Sequence, residues 1–151
     1  INTRLLEATS SSVENPKFTP EGILEFDVDG LREFGVSRQK ASYVLDLAEK
    51  VHSGAVELES LQRQSDDAVI EILTQVKGIG VWTAQMFLMF SLGRLDIFPC
   101  DDLGIKNAIA THYQFDELPS RSKMLEISKP WRPYSTVASW YLWQSLDLSD
   151  D

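Results

Sequence analysis

The fold is decided by the stretch LTQVKGIGVWTA, residues 73–84. Before its glycines, apolar residues recur at the spacing of one helix face, and after them a helical pattern resumes at Val81. Gly78 and Gly80 interrupt that pattern for three residues, which is typical of a tight turn whose backbone stays uncovered. The stretch therefore predicts two helices joined by a glycine hairpin, at about residues 65–92.

The predicted hairpin is suited to binding a phosphate. Glycines let the backbone approach a ligand closely, and the first N–H groups of the following helix are unpaired and lie at the positive end of its dipole. The turn carbonyls face the other way and suit a monovalent cation, Na⁺ or K⁺. A glycine corner that only packs is the alternative for so short a motif. The predicted phosphate-binding residues are Lys77, Gly78, Ile79, Gly80 and Thr83, and the predicted cation ligands are the backbone carbonyls of Thr74, Val76 and Ile79.

A second informative stretch, FPCDDLGIK, occupies residues 98–106. It places Asp102 immediately before a helix that we expect to run to Tyr113, so that its carboxylate can cap the helix. Capping also holds a carboxylate in place, and a positioned carboxylate beside a phosphate-binding turn suits cleavage of a base from its sugar. Lys106, four residues on, either pairs with Asp102 or is a solvated charge.

Composition limits the function classes. The chain has 151 residues, of which 43% are hydrophobic and 25% charged, as in a globular domain, and it has no apolar run long enough for a membrane span. Its single cysteine, Cys100, excludes a disulfide or a four-cysteine metal site within these residues. The net charge of −9 argues against general polyanion binding, unless backbone amides make the main contacts.

Helix punctuation predicts an all-α chain forming one domain over residues 1–151. No stretch alternates as a strand would. The chain begins at Ile1 in what resembles the end of a helix, so we expect upstream helices to be missing. The predicted helix starts are Thr19 with Pro20, Asp29, Ser37 and Ser65; the predicted stops are Gly35 and Gly93; and a final helix is expected over residues 135–146.

Three stretches, residues 34–48, 76–106 and 131–143, resemble the helix-hairpin-helix DNA glycosylase superfamily in the family's own order. The resemblance is to the branch of 3-methyladenine DNA glycosylase II. It implies two helical lobes with an active-site cleft between them. It also implies that the loop which normally inserts a wedge residue into the duplex is among the missing upstream helices.

The resemblance assigns roles to particular residues. It implies that Asp102 is the catalytic carboxylate, with Asp101 as the alternative, because cleavage of a glycosidic bond builds positive charge on the sugar. It implies that Trp82, Met86 and Trp143 contact an extruded base through apolar and aromatic surface. Relatives that also cut the strand carry a lysine nucleophile at the position of Trp82, so the resemblance implies a monofunctional enzyme. For Trp140 and the run 86–90, apart from the contact that the resemblance implies for Met86, we expect core packing in preference to substrate contact.

We therefore expect a DNA glycosylase that excises alkylated purines of the 3-methyladenine and 7-methylguanine type in base excision repair. The implied partner is double-stranded DNA containing alkylated bases, with no membrane and no cofactor beyond a possible structural Na⁺ or K⁺. We expect a monomer in the cytoplasmic nucleoid of a prokaryote or the nucleus of a eukaryote. The alternative is a non-catalytic helix-hairpin-helix module that binds DNA, which the acidic charge and the missing segment favour.

Overall fold

The computed structural model describes residues 2–10 and 17–147, and within these ranges it is helical, without a β-strand. The prediction of an all-α fold is confirmed. No helix in the described ranges is long and apolar enough to cross a membrane. The helices are α1 Asn2–Thr9, α2 Pro20–Leu24, α3 Val28–Glu33, α4 Arg38–His52, α5 Asp66–Thr74, α6 Val81–Phe90, α7 Leu103–His112, α8 Arg121–Ser128 and α9 Ser135–Asp147, with short 3₁₀ turns at Leu58–Arg63 and Lys129–Trp131.

The chain divides into two compact units, a first unit Ile1–Gly80 and a second unit Val81–Asp151. In the first unit, α4 packs against α2 and α3. Its core contains the fully buried Leu31 and Ala41, together with Leu5 from α1. The rings of Phe26 and Phe34 meet edge to face, 5.4 Å between centroids, against this core.

In the second unit, α7 packs against α9. Its core is formed by Cys100, Ile105, Ile109 and Met124, all buried. Partly buried side chains from the loops and from α9 complete it, among them Phe98, Trp131 and Trp143. This packing matters for the site because Asp102 begins α7 and Trp143 lies on α9.

Four of the predicted helix starts are confirmed by side-chain caps. The hydroxyls of Thr19, Ser37 and Ser65 and the carboxylate of Asp102 each accept from a backbone N–H in the first turn of the following helix. The two glycine stops, Gly35 and Gly93, have φ angles of 84° and 66°. These signals succeeded because a cap depends only on residues within one turn.

The structure corrects other helix bounds and adds one helix that was not predicted. Helix α3 begins earlier than predicted, since the Asp27 side chain caps it by accepting from Gly30 N and Asp29 lies inside its first turn. Helix α6 ends at Phe90, before the predicted limit near residue 92. Helix α7 ends at His112, with Tyr113 as its C-cap, and α9 extends to Asp147. Helix α8 was not predicted, because Met124 is its only fully buried apolar residue and gives little periodicity. Ile1 lies outside the described residues, and a helix is described from Asn2.

Candidate active site

The centre of the candidate site is the Asp102 carboxylate, which is half-buried at the start of α7. Its Oδ1 accepts a hydrogen bond from the N–H of Ile105 at 2.8 Å, which is the helix cap. The backbone of Asp102 is extended, with φ −64° and ψ 126°, as an N-cap residue requires. Helix capping thus fixes the position of the carboxylate independently of any ligand.

Two tryptophans hold the same carboxylate. The indole Nε1 of Trp82, on α6, donates to Oδ2 at 2.7 Å, and Nε1 of Trp143, on α9, donates to Oδ1 at 2.9 Å. An indole N–H is only a donor, so both rings are oriented with their edges toward the carboxylate. The three residues lie 20 and 41 positions apart in sequence, and all belong to the second unit. The structure therefore brings together the predicted catalytic residue and two of the predicted base contacts.

Gly104 makes room for this arrangement. A Cβ at this position would lie 3.1 Å from Oδ1 of Asp102 and 3.2 Å from Cδ1 of Trp143, closer than side chains usually pack. We did not predict this residue from the sequence. The available signal was a glycine in the first turn of a helix, where it is less favourable than alanine.

The neighbouring Asp101 has different partners. Its carboxylate forms an ion pair with Arg121 and lies 3.6 Å from Nζ of Lys106. Lys106 therefore neither pairs with Asp102 nor stands free in solvent, since its side chain is 23% exposed. The Cys100 thiol is buried, and this burial, followed by the charge of Asp101, raises its pKa. Two cations on Asp101 distinguish it from Asp102, whose carboxylate is held by neutral donors.

A polar network ties the loop before Asp102 to the start of α9. Thr136 donates its hydroxyl to the Arg94 carbonyl at 2.7 Å and accepts from Ile97 N at 3.0 Å. Asp96 accepts from the Ser135 hydroxyl at 2.6 Å and from Nε of Arg132 at 2.7 Å. The Ser135 hydrogen bond is the largest cause of a lowered pKa at Asp96. Because α9 also carries Trp143, the network fixes both sides of the Trp143–Asp102 contact.

Apolar surface continues from the site along α6. Met86 lies one helical turn beyond Trp82 and is half-buried, and Phe90 lies one turn further on the same face. The Phe90 ring is 6.1 Å from that of Trp143 and is 63% exposed. The expectation of core packing is therefore wrong for Phe90, and also for Trp140, which is 46% exposed. Within residues 86–90 the core residues are Leu88 and Met89.

The predicted hairpin turn lies at the end of the first unit. Ile79 N donates to the Val76 carbonyl at 3.0 Å, which closes the turn. Gly78 has a φ of 83°, and a Cβ there would lie 2.1 Å from the ring of Tyr43. Gly78 is therefore required by backbone conformation and by packing against Tyr43, a reason that differs from the predicted approach of a phosphate. A Cβ at Gly80 would meet no atom within 4 Å, so the turn is open there.

The family model of the HhH-GPD superfamily of base excision DNA repair proteins matches residues 2–133 of the chain. The chain belongs to this superfamily. The resemblance drawn from the sequence is thereby confirmed at the level of the superfamily. Curated proteins and solved structures also resemble the chain.

Two curated relatives of this HhH-GPD chain are named as DNA-3-methyladenine glycosylases. One is the putative DNA-3-methyladenine glycosylase YfjP of Bacillus subtilis, 41% identical over 128 residues, which cover 85% of this chain and 45% of the relative. The other is DNA-3-methyladenine glycosylase 1 of Schizosaccharomyces pombe, 39% identical over 133 residues, covering 87% and 58%. The chain spans about half the length of the curated relatives it matches.

A solved structure similar to this HhH-GPD chain has the same enzyme name as these relatives. The structure of the S. pombe 3-methyladenine DNA glycosylase in complex with abasic DNA matches with a TM-score of 0.81 at 37% identity. The match covers 95% of this chain and 70% of that one. Within the residues that the structure of this HhH-GPD member describes, no group of three or more His, Cys, Asp or Glu side chains could hold a metal ion.

Proposed function

We propose that the protein is a monofunctional DNA glycosylase that releases alkylated purines by hydrolysing the N-glycosidic bond, as a step of base excision repair. The observation that carries this proposal is the Asp102 carboxylate held by the indoles of Trp82 and Trp143, at 2.7 and 2.9 Å. Its support is membership of a superfamily of base excision repair proteins, with relatives named for 3-methyladenine.

The chemistry requires stabilisation of a positive charge. When the bond between sugar C1′ and the base nitrogen breaks, the electron pair leaves with the base and the sugar becomes an oxocarbenium ion. The Asp102 carboxylate stabilises that ion, water adds to C1′, and the proton that the added water loses passes to solvent. An alkylated purine such as 3-methyladenine or 7-methylguanine is cationic in DNA and leaves as a neutral base. Such a leaving group needs no general acid.

The tryptophans have two roles in this proposal. Their N–H groups orient Asp102, and the exposed surface of Trp82, which is 51% exposed, offers a face on which an extruded base can stack. A cationic base gains a further cation–π contribution of about 0.5–2 kcal/mol over an indole face. Met86 and Phe90 extend the apolar surface along α6. We therefore propose Met86 as a further substrate contact.

The proposal excludes cleavage of the DNA strand through a Schiff base. That reaction requires an amine nucleophile at the sugar, and Trp82 has none. Lys106, the lysine nearest to Asp102 in sequence, is ion-paired with Asp101. We expect borohydride to trap no covalent complex of the protein with damaged DNA. A trapped complex on a denaturing gel would refute the monofunctional assignment.

Double-stranded DNA containing alkylated bases is the proposed partner, bound by a monomer where the DNA lies, in a nucleoid or a nucleus. The hairpin would bind a phosphate through Lys77, Gly78, Ile79, Gly80 and Thr83. The carbonyls of Thr74, Val76 and Ile79 would hold a Na⁺ or K⁺ ion, which adds positive charge beside the phosphate. The Val76 carbonyl already accepts from Ile79 N and has one further lone pair to offer an ion. DNA affinity in KCl that exceeds affinity in choline chloride at equal ionic strength supports the cation; equal affinity contradicts it.

The second candidate is a DNA-binding module without catalysis, favoured by the net charge of −9 and by the partial coverage of the relatives. The decisive experiment measures binding and base release together. Alkylated duplex DNA is titrated with the full-length protein, and free 3-methyladenine and 7-methylguanine are quantified by chromatography. Release with turnover supports the glycosylase. Tight binding to the same DNA without release of either base identifies the non-catalytic module.

A further inference from the structure

The hairpin turn is held by side chains from α4. The carboxylate Oδ2 of Asp46 accepts the backbone N–H of Lys77 at 2.7 Å, across 31 positions of sequence. The ring of Tyr43, three residues earlier on α4, covers Gly78, where a Cβ would lie 2.1 Å from it. Gln39 donates to the Tyr43 hydroxyl at 2.8 Å. Two consecutive residues of the turn are therefore fixed by one helix.

The same carboxylate binds a lysine. Nζ of Lys50, one turn further along α4, donates to both oxygens of Asp46 at 2.8 Å. The Lys50 and Asp46 side chains are only 29% and 23% exposed. The Lys50 hydrogen bond, followed by that of the Lys77 N–H, lowers the pKa of Asp46. Asp46 is thus an ionised link between a lysine side chain and the turn backbone.

We infer that Tyr43, Asp46 and Lys50 form a brace that preorganises the hairpin for DNA, and that Lys50 acts through Asp46 without contacting a phosphate. The DNA-binding part of this inference rests on the proposed function. Lys50 is a basic residue beside a turn that we expect to bind phosphate, so its charge alone would suggest a phosphate contact. The geometry of Lys50 indicates a different role, because its ammonium group is ion-paired with the Asp46 carboxylate.

Preorganisation explains why such a brace affects affinity. A turn that is already fixed loses less conformational freedom when DNA binds, so less binding energy is spent on ordering it. Removal of the Asp46 carboxylate leaves the Lys77 N–H without its acceptor and the Lys50 ammonium without its counter-ion. Asp46→Asn keeps an acceptor for Lys77 and loses only the ion pair. The two substitutions at Asp46 therefore separate the two links.

The brace itself is tested on the free protein by hydrogen exchange of the Lys77 amide. We expect Asp46→Ala to raise its exchange rate about ten-fold, the equivalent of about 1.4 kcal/mol. Asp46→Asn should raise it less, and thermal unfolding should show that both variants remain folded. Unchanged exchange in Asp46→Ala would overturn the brace, since the turn would then be closed by its own backbone alone.

The role in DNA binding is tested by titration of undamaged duplex at several salt concentrations. Lys50→Met should weaken binding several-fold at every salt concentration and leave the salt dependence unchanged. Loss of a phosphate contact would instead reduce the slope of log K against log salt by about 0.9. Lys77→Met removes an exposed lysine of the turn, and it gives the change in salt slope expected when one phosphate contact is lost. Lys123→Met, whose lysine pairs with Glu126 at 3.1 Å on α8, is the control for net charge.

The outcomes distinguish a failure of the inference from a failure of the proposed function. A salt slope in Lys50→Met that falls as in Lys77→Met would make Lys50 a phosphate contact and overturn its assignment to the brace. Affinity equal to that of Lys123→Met would mean that the brace does not preorganise the turn for DNA. A protein that binds no DNA at all contradicts the proposed function, whereas hydrogen exchange of the Lys77 amide still tests the brace. A protein that binds DNA but releases no base leaves both tests intact.

Discussion

Replacement of Gly104 by alanine should lower catalysis with little change in stability. The new Cβ would lie 3.1 Å from Oδ1 of Asp102 and 3.2 Å from Cδ1 of Trp143, so these neighbours must move by a few tenths of an ångström. A misplacement of about 1 Å at a catalytic group costs about 10²-fold in rate. A smaller displacement should therefore reduce the excision rate several-fold, to about ten-fold at most.

The unfolding free energy should change little in Gly104→Ala. Gly104 is not among the glycines with a positive φ, so alanine meets no backbone strain there. Alanine is more favourable than glycine within a helix by up to about 1 kcal/mol. This preference and the cost of the close contacts oppose each other, so the unfolding free energy should stay within about 1 kcal/mol of the wild-type value. The expected signature is a slower enzyme that is at least nearly as stable.

The assay is single-turnover release of 7-methylguanine from duplex DNA, with urea unfolding on the same samples. Gly30→Ala is a matched control, because Gly30 also lies in the first turn of a helix capped by an aspartate. Its Cβ would lie 3.3 Å from Oδ1 of Asp27, in the first unit. Excision by Gly104→Ala at the wild-type rate would refute the reasoning that the excision rate depends on the position of the indole relative to the carboxylate.

Two further predictions concern the hairpin and acid stability. Gly80→Ala should weaken binding to all DNA sequences in a titration and leave thermal stability unchanged, since its Cβ meets nothing within 4 Å. Gly78→Ala should lower the unfolding temperature, because its Cβ clashes with the ring of Tyr43. The pKa of Asp96 is lowered, chiefly by the hydrogen bond from Ser135. The stability that this carboxylate contributes is therefore present above its unfolded pKa of about 4 and is lost as pH falls through the lower folded pKa. The difference in unfolding free energy between wild type and Asp96→Asn should therefore shrink from pH 5 to pH 3 in urea titrations; a constant difference would contradict the assigned cause.

The local features of the fold were predictable. Caps such as Thr19 and Ser37 depend on a side chain and a backbone N–H three residues away, so the sequence alone contains the signal. Helix α8 was not predictable in the same way, because its one fully buried apolar residue, Met124, leaves no periodic face. Short amphipathic patterns are informative only where enough of the face is buried.

The candidate site was predicted in part, and mainly from the family resemblance. Spacing could place Asp102 at a helix start, but only the fold brings indoles from 20 and 41 residues away to its oxygens. Trp140 and Trp143 are both on α9, and which one faces α7 depends on how the two helices pack. The ion pairs of Asp101 and the link between Asp46 and Lys77 are equally non-local. No pattern in the sequence distinguishes them from solvated charges.

The central claim is that Asp102, held by two indoles, is the carboxylate that promotes loss of the base. The most direct measurement compares single-turnover release of 3-methyladenine by wild type, Asp102→Asn and Asp101→Asn, with binding to abasic-site DNA measured in parallel. Asparagine can still cap α7, so the fold should persist. We expect Asp102→Asn to lose about 10²-fold or more in rate while binding persists, and Asp101→Asn to lose far less. Near-normal release by Asp102→Asn together with a large loss in Asp101→Asn would contradict the account.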